Sequence, residues 1–376
     1  MWDRDELGAW LRLLESPGIG LDTARRLLLS LGSPQAVFDL PGAAWQDLLT
    51  PKQRESLSRP PEHLDAALDG TWAWLQADPS HQILLLGDAD YPPQLMATAD
   101  PPLLLYLQGR RELLRSPCLA VVGSRNPTAQ GRDNARAFAR ELAQAGLCIT
   151  SGLALGVDGA AHQGALAAGG ATIAVMGTGF DQIYPRRHQA LAAQISEQGL
   201  ILSEYTWGMP GLASNFPRRN RLIAGLSLGT LVVEAALPSG SLITARLASE
   251  AGREVFAIPG SIHSPMSRGC HALIRQGAKL VETAQDVLEE LPPGSWPGSP
   301  VATSSMQPSA PFEALDCSPA QRQVLELMGF DPIGLDALQA RGGWPVAELS
   351  AHLLELELNG AIGRLPGQQF QRRGGA

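Results

Sequence analysis

From Cys118 to Leu280 short apolar runs alternate with stretches of helical periodicity, and that alternation leaves few folds open to the chain. The strand candidates are 118–122, 147–150, 172–176, 200–203, 230–234, 254–258 and 279–281. Helices are expected between them, over 129–145, 157–168, 186–198, 215–227, 241–251 and 268–276. Strands that are apolar almost throughout, each followed by a helix, predict a parallel sheet covered on both faces. The fold class expected is α/β, a Rossmann-like doubly wound domain with a mainly parallel sheet.

The flanks read differently. Leu7, Trp10, Leu11, Leu13 and Leu14, then Ala24, Leu27, Leu28 and Leu31, repeat at helical spacing and predict a small helical N-terminal domain over 1–78. Within it Ser16-Pro17-Gly18-Ile19-Gly20 resembles a helix-hairpin-helix turn and equally fits a plain interhelical turn, with Asp22 or Thr23 as the expected cap of the next helix. The Rossmann-like domain is expected over 79–291, its first apolar runs being Ile83–Leu86 and Leu103–Leu107. Residues 292–312 have the composition of a Pro/Ser/Gly linker. Beyond them, 313–376 show three helical patterns and then a hairpin around Pro366-Gly367, the order of a winged helix.

Charge and cysteine usage narrow the function classes. The 376-residue chain carries a formal charge of −8, so a polyanion is expected to bind only through a local basic groove. All but two of its 29 basic residues (Lys52 and Lys279) are arginine, whose planar fork suits phosphate. No apolar run approaches the roughly 18 residues that span a bilayer. The charged start Met1-Trp2-Asp3-Arg4-Asp5-Glu6 is unlike a signal peptide, so a cytoplasmic protein without a membrane role is expected. Cys118, Cys148, Cys270 and Cys317 have no metal-like spacing, and Cys118 and Cys148 read as buried small hydrophobes.

Chemistry in such a sheet belongs at the carboxyl ends of the strands, where helix N-termini present free N–H groups. Four turns fall there: Gly123-Ser124-Arg125-Asn126-Pro127, Ser151–Asp158, Gly177-Thr178-Gly179, and Pro238-Ser239-Gly240-Ser241 with Thr244 one turn on. None has the G-x-G-x-x-G or G-x-x-x-x-G-K-[ST] pattern, so neither a dinucleotide cofactor nor a Walker-type ATP site is expected. The densest basic cluster is Asn215-Phe216-Pro217-Arg218-Arg219-Asn220-Arg221. At 100° per residue Arg218 and Arg221 share a helix face while Arg219 points elsewhere. Phe216 fits a core position and equally a base-stacking platform beside a cationic track. Asp158 with His162, and Asp181, Glu204 and Glu234, are acids near strand ends without an evident nucleophile or metal partner; capping and structural pairing explain them.

These motifs occur in a fixed order: Gly123-Ser124-Arg125, Ser151 to His162, Gly177 to Pro185, Asn215 to Ser227, Val232-Val233-Glu234-Ala235, Ser239 to Ala245 and Val255 to Gly260. In that order the chain resembles the DprA/Smf family of bacterial DNA-processing proteins, densely over roughly 82–291. The resemblance implies a non-enzymatic protein without a cofactor. Such a protein binds single-stranded DNA independently of sequence, protects incoming strands in natural transformation and loads RecA recombinase, with single-strand-binding protein as a further partner. Carried over, Gly123, Ser124 and Arg125 would hold phosphates and Phe216 would stack a base. Arg218, Arg219 and Arg221 would contact phosphate or brace the fold. Asn220 would brace the pocket or hydrogen-bond a base, Asn215 would belong to the same DNA-binding set, and Ser239, Gly240, Ser241 and Thr244 would line the pocket. The family also implies a homodimer, here through His271, Ile274 and Leu280. Some relatives place a lysine just before the Phe, where this chain has Gly211-Leu212-Ala213-Ser214.

The alternative is a nucleotide-hydrolysing enzyme of the lysine-decarboxylase-like Rossmann class, which carries P-G-G-x-G-T-x-x-E. In Ala224–Glu234 the paired glycines are missing and the glutamate is shifted by one. A third class, duplex binding by the winged helix, meets five arginines against eight acids over 313–376, so a protein-interaction or structural role is expected there instead.

Overall fold

The computed structural model describes residues 2–40, 42–297 and 318–373. In chain order the helical start comprises α1 (Arg4–Glu15), α2 (Leu21–Leu31), α3 (Pro34–Asp39), α4 (Pro51–Ser58) and α5 (Leu64–Ala77). Then come β1 (His81–Leu85), α6 (Pro93–Met96), β2 (Leu104–Gly109), β3 (Cys118–Val122), α7 (Ala129–Gln144), β4 (Cys148–Ser151), α8 (Val157–Ala167), β5 (Thr172–Val175), α9 (Gln189–Gln198) and β6 (Leu200–Ser203). They are followed by α10 (Asn215–Leu226), β7 (Ser227–Val232), α11 (Gly240–Glu250), β8 (Glu254–Ala257), α12 (Arg268–Arg275), β9 (Lys279–Leu280) and α13 (Ala284–Glu290). The last elements are α14 (Pro319–Met328), β10 (Ile333–Gly334), α15 (Leu335–Gly342), α16 (Val346–Leu358), β11 (Ile362–Leu365) and β12 (Gln369–Arg372). The chain forms two compact units, Met1–Arg115 with Val175–Arg219, and Ser116–Ala174 with Asn220–Ala376.

In the first unit α1 is N-capped by Asp3, whose carboxylate accepts the Asp5 N–H, and it buries Leu7, Trp10, Leu11 and Leu13. The helix after the Pro17-Gly18 turn is capped differently from expectation. Its N-cap is Gly20, without a side-chain bond, and it starts at Leu21. Asp22 therefore sits inside the first turn, where a carboxylate favours the helix dipole instead of capping it. The expected strands 83–86 and 103–107 are β1 and β2, but they pair antiparallel, with Ile83 opposite Tyr106, and β2 pairs antiparallel with β6. Tyr106, Trp74 and Phe180 pack at ring-centroid distances of 5.0–6.3 Å and fill this unit's interior with aromatic area.

The second unit holds the parallel sheet, in the order β5-β4-β3-β7-β8-β9. From β3 the chain adds β4 and β5 on one side and later β7, β8 and β9 on the other, so the direction of winding switches between β3 and β7. A ligand crevice in such a sheet lies outside the carboxyl ends at that switch. The core beneath it is built from Leu119, Val121, Ile149, Leu231, Val233 and Phe256, against α7 and α8. Those two helices meet closely because Gly164 faces the α7 backbone: a Cβ there would lie 2.2 Å from the Arg136 carbonyl oxygen. Cys118 and Cys148 face each other across β3 and β4 and are buried, as the apolar context predicts. Cys317 and most of the 292–312 segment fall outside the described residues.

Strand boundaries follow the expected pattern within a residue or two, except β7. It begins at Ser227 directly after α10 and ends at Val232, so Glu234 stands beyond the strand. The segment 186–198 opens as a short 3₁₀ turn over Arg186–His188 before α9. At the carboxyl end α14, α15 and α16 with the sheet β10-β12-β11 enclose Val324, Leu338, Leu349, Leu353, Leu356 and Phe370, the winged-helix arrangement. Its Arg373 grips Asp133 of α7 with two bonds of 2.6 and 2.7 Å.

Candidate nucleic-acid interface

At the switch point Gly123 ends β3 in a space only glycine fits, since a Cβ would lie 2.7 Å from the Val157 side chain and 3.0 Å from the Glu234 carbonyl oxygen. The Ser124 N–H donates to that carbonyl at 2.8 Å, and Ser124's own carbonyl accepts the Val157 N–H at 3.1 Å. Its hydroxyl accepts the Asn126 N–H at 3.0 Å, which closes a tight turn and leaves Arg125 exposed at its tip. Gly156, at φ +82°, lies against the same carbonyl, where any side chain would collide. The turn is thus fixed by two backbone bonds and one to the Ser124 hydroxyl, so a ligand would meet it already formed.

Glu234 anchors this turn, a role its sequence position did not reveal. Its carboxylate accepts the Thr128 N–H at 2.9 Å and the Thr128 hydroxyl at 2.5 Å, while the Thr128 hydroxyl caps α7 by accepting the Gly131 N–H. Gly131 is required beneath it, since a Cβ would lie 2.3 Å from the carboxyl carbon. Burial raises the Glu234 carboxyl above its ordinary range, and the Thr128 bonds offset that only in part. A carboxyl whose folded-state pKa is raised stabilises the fold fully below its unfolded value and loses that contribution as pH rises through the folded value. We therefore expect wild-type protein to lose stability relative to Glu234→Gln as pH climbs from about 4. Urea denaturation across a pH series checks this, and parallel curves for the two proteins would refute it.

Asp158, His162 and Glu234 hold structure, as capping and structural pairing led us to expect. The Asp158 carboxylate accepts the Gly152 and Ala154 N–H groups at 3.1 and 3.3 Å and shapes the turn after β4, in which Leu153 takes a positive φ of 57°. His162 is fully buried, with Nδ1 2.7 Å from the Thr172 hydroxyl. That hydroxyl donates to the Ile149 carbonyl at 2.6 Å, so the histidine nitrogen is the donor in their bond. Glu234, the residue nearest a hydrolase glutamate, is committed to Thr128.

The helix start at α11 gathers five of the expected residues within the second unit. Asn220 donates from Nδ2 to the Gly240 carbonyl at 3.1 Å, and the Thr244 hydroxyl approaches the same oxygen at 3.5 Å. The Ser239 and Ser241 hydroxyls are 2.8 Å apart. Thr244, Ser241 and Asn220 are buried, which leaves Ser239 and Gly240 as the accessible members.

The first unit contains the start of α10. The Tyr205 hydroxyl donates to the Asn215 carbonyl at 3.0 Å, and buried Asn215 donates to the Pro210 carbonyl at 3.4 Å. Phe216 is half-buried, its ring against Gly177, where a Cβ would lie 2.9 Å from the ring edge, and 5.3 Å from the Tyr184 ring. Successive arginines part company as the helical angle predicts. Arg218 is exposed, whereas Arg219 is 3% exposed and donates to the Val175 carbonyl at the end of β5. Arg221, in the second unit, is half-buried. On α12 the His271 Nε2 lies 2.9 Å from the Gly260 carbonyl, Ile274 is half-buried, and Leu280 of β9 is 43% exposed.

The family model for DNA recombination-mediator protein A matches residues 82–292, and the DprA winged helix domain matches 307–368. The chain belongs to the DprA/Smf family. Protein Smf of Escherichia coli (strain K12) is 42% identical over 366 residues, 97% of this chain and 95% of that one. The DNA processing protein DprA of Streptococcus pneumoniae is 50% identical over 215 residues, 57% of this chain and 75% of its own. The X-ray structure of DNA processing protein A from S. pneumoniae superposes with a TM-score of 0.66 at 39% identity, covering 76% of this chain and 98% of that one. The structure of Helicobacter pylori DNA processing protein A, described for its single-stranded DNA binding mode, has a TM-score of 0.51 at 34% identity, over 56% and 97% of the two chains. DNA processing is therefore the setting in which a DprA/Smf member's site is to be read. No helix among the described residues is long and apolar enough to cross a membrane.

Proposed function

We propose that this protein binds single-stranded DNA without sequence preference and acts in the cytoplasm as a recombination mediator. In this reading it protects incoming strands during natural transformation and hands them to RecA, with single-strand-binding protein as a second partner and no chemistry of its own. The observation that carries the reading is the rigid Gly123-Ser124-Arg125 turn at the sheet's switch point, presenting an exposed arginine in a chain of net charge −8. The start of α10 adds exposed Arg218 and the partly accessible Phe216 ring, the cation and the stacking platform that single-strand binders combine. Arg219 braces β5, Asn215, Asn220 and Thr244 bond backbone carbonyls, and Ser241 bonds the Ser239 hydroxyl. Ser239, Gly240 and Arg221 are accessible enough to touch DNA. The H. pylori relative, solved for single-stranded DNA binding, supports the same ligand. A homodimer through Ile274 and the exposed Leu280 completes the proposal, with His271 shaping that face.

Fluorescence anisotropy of labelled poly-dT over a salt series, with duplex as competitor, tests the reading. Tight binding that salt weakens and duplex competes poorly is the expected result. No binding by folded protein at low salt would refute it. Arg125→Ala should weaken every sequence alike and lower the slope of log affinity against log salt by about 0.7, one single-strand phosphate. An unchanged slope in a folded variant would take Arg125 out of the site.

A further inference from the structure

The basic cluster of α10 is not the end of the cationic surface in the first unit. The segment from Gly177 to His188 passes beside Phe216 and carries exposed Tyr184, Arg186 and Arg187, none of which the family motif marks as a ligand contact. Tyr184 is 52% exposed, a large fraction for an aromatic ring already packed on one side. Its ring is 5.3 Å from that of Phe216 and tilted by 39°, so the two form a stepped surface rather than a closed stack. Gly211 passes both rings without a side chain; a Cβ there would lie 3.5 Å from the Phe216 ring tip and 3.6 Å from the Tyr184 ring.

The charges around the step are unspent. Among the described residues Arg186, Arg187 and Arg218 make no ion pair and no side-chain hydrogen bond. The only acid between Gly177 and His188 is Asp181, whose carboxylate accepts the Gly208 N–H at 2.8 Å. An acidic protein that holds three uncompensated arginines around an exposed aromatic step has assembled the two components of a single-strand track.

Resting on the single-stranded DNA reading above, we infer that Tyr184 is a second base-stacking platform, which carries the strand on from Phe216, with Arg186 and Arg187 taking its next phosphates. The strand path then runs along the Gly177–His188 segment as well as α10, and the site is longer than the motif residues define.

The test is oligothymidylate length dependence in full-length protein. Binding is measured for a long oligonucleotide and for the shortest one whose affinity Phe216→Ala still reduces. Tyr184→Ala should weaken the long oligonucleotide by about fivefold or more and leave the short one unchanged, since stacking one base is worth about 1–3 kcal/mol. The loss should persist in a Phe216→Ala background and be restored by Tyr184→Phe. Replacing Arg186 and Arg187 together by alanine should lower the salt slope on the long oligonucleotide by about 1.4, two single-strand phosphates. If Tyr184 only props Phe216, the loss will be equal at both lengths and vanish in the Phe216→Ala background, which overturns the inference. Equal binding by Tyr184→Ala and wild type overturns it too. Wild-type protein that binds no oligonucleotide defeats the parent reading, whereas intact Phe216 dependence without Tyr184 dependence defeats this inference alone.

Discussion

Phe216→Ala is expected to lower affinity for poly-dT by about 1–3 kcal/mol, roughly 5- to 150-fold, while duplex competition stays weak. The expectation rests on where the ring sits. One edge is set against Gly177 and the ring lies 5.3 Å from that of Tyr184, yet the residue keeps part of its surface in water at the start of α10. A ring that served only the core would be covered, as Phe138, Phe180 and Phe256 are. Truncating a half-covered ring removes less packing than the ~3–5 kcal/mol of a fully buried one, so thermal stability should fall by a smaller amount than that. The measurement is paired: anisotropy for affinity and thermal melting for stability, on the same preparation. Intact affinity with a large melting loss would return Phe216 to the core.

The largest effect on stability is expected from Gly164→Leu. On α8 this glycine faces the Arg136 backbone, with room for no Cβ at all, and the obstacle is a carbonyl and its neighbours rather than a yielding side chain. A leucine would wedge α7 from α8 and open a core that includes Ala135, Ala139, Ala161 and Ala165. Overpacking costs typically 1–3 kcal/mol and more where backbone must move, so about 3 kcal/mol or more is expected here. At roughly 2–4 °C per kcal/mol for a unit of this size, melting should fall by about 6–12 °C. A melting temperature within about 2 °C of wild type would show that the helices separate freely, contrary to the close contact described.

The parallel sheet was legible because its strands are apolar on both faces and its helices carry a stripe, two periods that survive without tertiary knowledge. Antiparallel β1 and β2 have equally apolar runs, and nothing in Ile83–Leu86 or Leu103–Leu107 encodes the direction of their neighbours. The cap of α2 was misplaced because Asp22 and Thr23 are good capping types, whereas the positive φ of Gly18 brings the chain round early enough for Gly20 to take the position. Helical angles separated Arg219 from Arg218 and Arg221, but only the fold shows that the odd one is buried on Val175. Glu234 and Tyr184 were the costlier omissions. The first looks like any acid after a strand until Thr128, 106 residues away, is brought to it. The second lies inside a recognised motif, and its meaning depends on a ring it meets across 32 residues of sequence.

The scarcity of lysine has a practical side. Lys279 is paired with Glu290 at 2.6 Å, and Lys52 lies on α4, so every cation assigned here to DNA is a guanidinium that amine chemistry does not touch. On the proposed reading, acylation of Lys52 or Lys279 would leave every assigned DNA contact unmodified, while a dicarbonyl reagent directed at arginine would weaken binding. On that reading lysine acetylation would leave the strand contacts untouched, and Lys52 is the lysine for a fluorophore, because Lys279 neighbours Leu280 of the proposed dimer face.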